Sequence, residues 1–328
     1  MILGTYFIDN ILKFSVHLKK EMSLVGKISL VTGASKGIGK GIACQLGQAG
    51  STVYITGRSV DKLSECADII QKRGGTAIPV PTDHSNDASV QKLFDQIKSD
   101  QGKLDILVNN AYAGVDFISR NTGKKFYLAN PSEQWDCING VGLRNHFLCT
   151  VFASRIMVPQ KDGLIVNVSS VGGLSYLFNV PYGIGKAACD RMAADCAREL
   201  KRDNVTMISL WPGAVKTEYI EENVFQEGGF MNRPKSVELF KDAESVEYSG
   251  KAIVNLAKDT KRISKTGKIL WVSDLAREYG FRDEDGQLHD SRSLKNILNA
   301  YGYNKLSNLI PSSVRVPHFM IHQAGNKF

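Results

Sequence analysis

The stretch that most constrains this chain is Ile28-Ser29-Leu30-Val31, followed at once by Thr32-Gly33-Ala34-Ser35-Lys36-Gly37-Ile38-Gly39. A short β-rich run enters a glycine-rich turn, and Ile42, Ala43, Leu46 and Ala49 then recur at helical spacing until Gly50. Glycines let a backbone approach a pyrophosphate, whose charge the N-terminus of the following helix receives. Strand, turn and helix in this order therefore read as a dinucleotide site.

This unit opens an alternation. Strands are expected at Thr52–Thr56, Thr76–Val80, Leu104–Val108, Leu164–Val168, Val205–Leu210 and Gly267–Val272. Helical patterns over 60–72, 87–99 and 132–157, and one opened by Pro181-Tyr182, lie between them. Strands alternating with helices demand a mostly parallel sheet covered on both faces. The expected fold is α/β, a single doubly wound (Rossmann) domain over 23–275 with a seven-stranded, mostly parallel sheet flanked by helices. Residues 1–22 and 276–328 are then N-terminal and C-terminal extensions.

The end of the second strand speaks to the cofactor. An acid there would hydrogen-bond the ribose hydroxyls of NAD. The sequence instead has Gly57 and then Arg58, a partner for a 2′-phosphate, with Lys36 in the glycine loop as a second cation. Both favour NADP(H) over NAD(H).

A chemical group stands further along. Tyr182 and Lys186 are four residues apart, so both side chains fall on one face of a starting helix. The ammonium favours the phenolate, which lets the phenol exchange a proton with an alcohol near neutral pH. Ser170 closes the Leu164–Val168 run, at a strand's carboxyl end, where open α/β sheets bind ligands.

Composition removes other classes. The chain is 43% hydrophobic and 23% charged, as soluble globular proteins are. Its net charge of +8 is dispersed, with no helix-turn-helix, zinc-finger or RNA-binding signal, which argues against nucleic acid. Cys44, Cys66, Cys137, Cys149, Cys189 and Cys196 lack close pairing and read as small hydrophobes in an intracellular reducing compartment. No metal-ligand spacing appears, since His318 and His322 have no carboxylate or cysteine cluster beside them. The apolar band in 1–21 is too interrupted to span a bilayer and lacks the marks of a signal peptide. It reads as an amphipathic surface segment or a dispensable leader.

Taken in order, Thr32-Gly33-x-x-x-Gly37-Ile38-Gly39, Asn109-Asn110-Ala111, Ser170, Tyr182-x-x-x-Lys186 and Pro212-Gly213-x-Val215-x-Thr217 resemble the short-chain dehydrogenase/reductase family over about 23–275. The resemblance implies that Tyr182 is the acid/base, that Ser170 holds a substrate carbonyl oxygen, and that Lys186 lowers the tyrosine pKa and binds the nicotinamide ribose. It implies cofactor contacts from Gly33, Ser35, Lys36, Gly37, Ile38, Gly39, Arg58, Asp83, Asn110 and Thr217. The family's habit of pairing through its long helices implies a homodimer or homotetramer. One departure stands out: where the family usually has Val-Asn-Leu, with the asparagine in a proton relay, this chain has Val141-Gly142-Leu143. Asn139, nearly one turn earlier, or water and backbone alone are the alternatives.

Specificity is expected from the loop over 214–245, with Tyr219, Phe225, Gly228-Gly229-Phe230-Met231 and Phe240, whose paired glycines suit a lid. Tyr112, Phe178 and Trp211 add candidate aromatic walls, fitting a bulky apolar carbonyl such as a steroid, quinone or xenobiotic ketone. The expected activity is NADPH-dependent reduction of a ketone or aldehyde to an alcohol, reversible as an alcohol dehydrogenase. The rival is a non-catalytic dinucleotide-binding scaffold or sensor. In the C-terminal extension Asp283-Glu284-Asp285-Gly286 reads as a turn and Leu294, Ile297, Leu298 and Tyr301 as a short amphipathic helix. That extension could dock peripherally on an endoplasmic-reticulum or other membrane from the cytosolic side, cap the domain, or contact a second subunit.

Overall fold

A computed structural model describes residues 23–224, 240, 243–300, 303–317 and 320–321. The expectations for 1–22, for Phe225 and Gly228 to Met231 within 214–245, and for Tyr301, His318 and His322 lie outside these residues. The strands are β1 (Ile28–Val31), β2 (Thr52–Gly57), β3 (Thr76–Pro81), β4 (Ile106–Asn109), β5 (Gly163–Val168), β6 (Val205–Trp211) and β7 (Ile269–Trp271). They form one sheet in the order β3-β2-β1-β4-β5-β6-β7, and every pairing is parallel. The order reverses between β1 and β4, the switch point where such sheets open a crevice at their carboxyl ends.

Alternate residues of each strand feed opposite cores. Leu30, Tyr54, Leu107, Ile165 and Met207 face one cluster, and Val31, Ile55, Val108, Val166 and Ile208 the other. With both faces covered, the central strands are buried and mostly apolar, interrupted by residues such as Ser29, Asn167, Thr206 and Ser209, which is why they read as near-continuous runs. The helices that cover the sheet include α1 (Gly37–Gln48), α2 (Val60–Lys72) and α3 (Asp87–Gln101). After them come α4 (Val115–Arg120), α5 (Pro131–Trp135), α6 (His146–Gln160), α7 (Val180–Leu200) and α8 (Glu218–Val224). The chain continues through α9 (Tyr248–Lys258), α10 (Val272–Tyr279) and α11 (Leu294–Ala300).

Three expectations need adjusting. β4 starts later than Leu104 because the Asp105 carboxylate accepts from the Ile28 N–H at 2.8 Å and pairs with Lys27, fastening the strand's entry from outside the ladder. β7 ends at Trp271 because Val272 already belongs to α10. The helix expected over 132–157 is broken: between α5 and α6 the segment Asp136–Asn145 winds as a π-helix. Such wide turns are rare and concentrate at functional sites.

The C-terminal extension folds back on the domain. Asp283–Gly286 forms the expected turn, with Gly286 at φ +75°. Arg277 and Arg315 pair with Asp290, while Arg292 and Arg315 pair with Asp274 on α10. The Asp283 carboxylate accepts from the Ser245 N–H at 2.7 Å, and Val215 bridges Glu244, so the extension grips the base of the loop after β6. No helix among the described residues is long and apolar enough to cross a membrane.

Candidate active site

The glycine loop is braced from β4. The Thr32 hydroxyl donates to the Val108 carbonyl at 3.2 Å and accepts from the Asn110 and Ala111 N–H groups at 2.9 and 3.0 Å. The Asn110 amide donates to the Thr32 and Gly33 carbonyls at 3.0 and 3.1 Å. Gly33 takes φ +66°, and a Cβ on Gly39 would stand 2.3 Å from both Asn110 Nδ2 and the Gly33 oxygen. Neither position accepts a side chain without backbone movement. Ile38 packs on the core below.

The same loop already holds an anion. The Gly37 N–H at the start of α1 donates to the Glu218 carboxylate at 2.7 Å, and Thr217 lies against Gly37. A helix N-terminus is the ordinary seat for negative charge, and here a carboxylate takes it. Glu218 was not a sequence candidate, although it directly follows Thr217.

Lys36, Arg58 and Asp83 are exposed at this end of the sheet. Hydrogen bonds from the Ser85 hydroxyl at 2.7 Å and N–H at 2.9 Å hold the Asp83 carboxyl below its ordinary range, and the Arg58 charge adds to this. Gly57 makes room for Ser35, whose hydroxyl would lie 3.2 Å from a Cβ there.

Across the switch point, Ser170 follows β5 and Tyr182 sits in the first turn of α7. Their hydroxyls are 2.8 Å apart, and the Gly172 N–H donates to the Ser170 oxygen at 3.1 Å. Lys186, one turn on, is buried; its ammonium donates to the Val168 carbonyl at 2.9 Å and lies 5.8 Å from the centre of the Tyr182 ring. The three residues named from sequence therefore meet in one corner.

Asn179 and His146 were not sequence candidates, and Phe178, expected as a wall of the substrate side, also supports this corner. The Asn179 side chain caps α7 by accepting from the Tyr182 N–H at 3.0 Å, which fixes the height of the phenol. Phe178, in the left-handed region at φ +65°, turns its ring edge-to-face on Tyr182 with centres 4.9 Å apart. A bulky residue in that region is costly and persists only where its surroundings enforce it. His146 is fully enclosed, with Nε2 3.1 Å from the Ala111 carbonyl; burial, helped by the Lys186 charge, pushes its pKa down to about 3. The Asn179-Val180-Pro181 order carries a capping signal that could have been read, whereas nothing in the sequence distinguishes His146.

Tyr112 stacks edge-to-face on Tyr182 with ring centres 6.1 Å apart. Asn139, in the π-helical segment, donates to the Pro181 carbonyl at 3.2 Å and presses on Gly185, so its amide faces the backbone of α7. Trp211 does not wall a pocket: it is buried on β6, packs on Trp271 at 5.1 Å and donates to Asp190 at 3.0 Å.

The family model described as short chain dehydrogenase matches residues 27–227. The chain is 49% identical over 310 residues to the human protein named dehydrogenase/reductase SDR family member 1, covering 92% of this chain and 98% of that one. It is 37% identical over 200 residues to a 3-oxoacyl-(acyl-carrier-protein) reductase of Aquifex aeolicus, covering 60% of this chain and 77% of the relative. Among solved structures, a metagenomic short-chain oxidoreductase in complex with NADP aligns with a TM-score of 0.61 at 26% identity. That alignment covers 76% of this chain and 98% of the other.

Proposed function

Since the chain belongs to the short-chain dehydrogenase family, a family of oxidoreductases, we propose that it reduces a ketone or aldehyde to an alcohol with NADPH as its preferred cofactor. The observation that carries this reading is the pair of hydroxyls of Ser170 and Tyr182, 2.8 Å apart, beside the buried Lys186 at the carboxyl end of β5.

The residues present fit a dinucleotide. The Gly37 N–H binds a carboxylate, and Gly33 and Gly39 bring bare backbone to the crevice, the donor set that a pyrophosphate needs. Gly33, Ser35, Lys36, Gly37, Ile38, Gly39, Asp83, Asn110 and Thr217 would line it, and Arg58 with Lys36 would take a 2′-phosphate. A bound nicotinamide dinucleotide supplies the hydride.

The protein's own work is proton transfer and orientation. Ser170 and Tyr182 offer hydroxyls that converge on one point, where a carbonyl oxygen accepts from both; as negative charge develops, Tyr182 gives up its proton. Lys186 stabilises the charge left on the phenol oxygen, and Asn179 and Phe178 hold the ring in place. Phe178 gives the substrate side of the corner an aromatic character, which favours an apolar carbonyl compound.

The test is oxidation of NADPH and NADH, side by side, with a panel of apolar ketones and aldehydes, for wild type and Arg58→Ala. Turnover with NADPH that falls by about 10- to 100-fold in Arg58→Ala, while NADH turnover is unchanged, supports the reading. Equal use of both cofactors overturns the Arg58 assignment. Tight NADPH binding without turnover overturns the enzyme and favours a dinucleotide-binding scaffold.

A further inference from the structure

We propose that Tyr112 is a positioning residue that takes the place of the side chain missing at Gly142 and holds Lys186 and Tyr182 in register, a role that rests on the reading of Tyr182 as the acid/base. A Cβ built on Gly142 would stand 2.5 Å from a ring carbon of Tyr112. The space that a larger residue at 142 needs is therefore filled by this ring. Gly114 closes the other end of the slot, since a Cβ there would be 2.5 Å from the Tyr112 hydroxyl.

The ring fixed in this slot touches the chemistry on two sides. Its edge-to-face contact with Tyr182 buttresses the phenol, and the Lys186 ammonium lies 5.3 Å from its centre, within reach of a cation–π attraction. Lys186 is thus set between two aromatic rings and the Val168 carbonyl.

The Tyr112 hydroxyl is buried and has no hydrogen-bond partner among the described residues. Burial also pushes the Tyr112 phenol pKa up, so the group stays neutral. The ring does the positioning and the hydroxyl adds nothing to it. The other titratable groups at this corner are Tyr182, His146 and Cys189. Burial pushes the Cys189 thiol up to about 11 and holds His146 neutral. Asp190, next along α7, also feels the Lys186 charge; burial raises its carboxyl, which accepts from Ser209 and Trp211 on β6, so Lys186 is the charge that the ring itself has to hold. The nearby Asn139 is committed to Pro181 and Gly185 on α7, so it braces the backbone of that helix and leaves the side chains of Tyr182 and Lys186 to the ring.

The test is a cycle of Gly142→Asn, Tyr112→Ala and the double variant, with Tyr112→Phe as the conservative control. It is read in kcat, in the pH profile of kcat and, on cofactor-free protein, in the thermal midpoint. Each single change is expected to lower kcat by roughly tenfold or more, and Tyr112→Ala to move the pH profile. The double variant is expected to lose less than the product of the singles in kcat, and less than the sum of their shifts in midpoint, because the asparagine enters space the ring has left. Tyr112→Phe is expected to keep wild-type kcat and pH profile.

Additive effects in both readouts overturn the proposal. So does a Tyr112→Phe variant as impaired as Tyr112→Ala, or a Tyr112→Ala variant that raises KM alone, which would make the ring a substrate wall. If wild type turns over no carbonyl compound, the functional reading fails, and the thermal cycle alone then decides whether residues 112 and 142 interlock.

Discussion

The two sides of the crevice are built on different principles. At the β1–α1 turn the backbone itself is the instrument: Gly33 and Gly39 are small because Ala111 and Asn110 press on them, and the Gly37 N–H points outward to an anion. At the α7 corner the instruments are side chains from distant segments. Ser170, Tyr182 and Lys186 are supported by Tyr112 after β4, by Asn139 in the π-helical segment and by His146 at the start of α6. A site made of backbone tolerates almost no substitution at its glycines, whereas one made of side chains can exchange a large residue at one position for a small one at another. Tyr112 and Gly142 are such an exchange.

The contrast orders the expected effects of mutation. On the side-chain half, Ser170→Ala removes one of two donors to a developing oxyanion and is expected to lower kcat by about 10²- to 10³-fold, with folding intact. Steady-state kinetics beside a thermal melt checks this. On the backbone half, Gly39→Ala forces a Cβ against Asn110 and the Gly33 carbonyl. An expected cost of about 1–3 kcal/mol should appear mainly as weaker dinucleotide binding, measured by the fluorescence change on NADPH titration. A Gly39→Ala protein that binds as wild type does would mean the loop is less constrained than its contacts imply.

Acid separates the halves again. His146 has a folded-state pKa of about 3, far below the usual 6.5, so the unfolded chain binds its proton first. The stability it contributes is fully present above pH 6.5 and declines as pH falls toward 3, by roughly 1.4 kcal/mol per unit. His84, also lowered by burial, acts in the same direction. In denaturant melts between pH 4 and 7, His146→Asn is expected to show a shallower loss than wild type. A smaller effect belongs to Asn179→Ala, which removes the cap of α7 and is expected to cost about 1 kcal/mol in the same melts, with a further loss of kcat as Tyr182 loosens.

How far the sequence could be read follows the same division. The glycine loop, the alternation of strands and helices and the Ser170–Tyr182–Lys186 set were legible because each is encoded locally, by a run of strand residues and a turn or by a fixed spacing on one helix. The π-helical turn at Asp136–Asn145 was not, because Ile138, Cys149, Ala153 and Ile156 recur at helical spacing and pass for one face of a regular helix. The filling of the Gly142 space by Tyr112 was out of reach for a stronger reason. The two residues are distant in sequence, and only the packing of the segment after β4 against the π turn brings them together. Trp211 shows the reverse error: an aromatic that looked available to a substrate is spent on Trp271 and Asp190 inside the fold.

The most direct test of the account compares Tyr182→Phe with wild type in two assays on the same preparations, NADPH binding by fluorescence and NADPH oxidation with an apolar ketone. The phenyl ring keeps the contacts with Phe178 and Tyr112 and loses only the hydroxyl, so binding should be unchanged while turnover falls by about 10²- to 10⁴-fold. Turnover within a few-fold of wild type would contradict the account, because it would place the proton transfer on some group other than Tyr182.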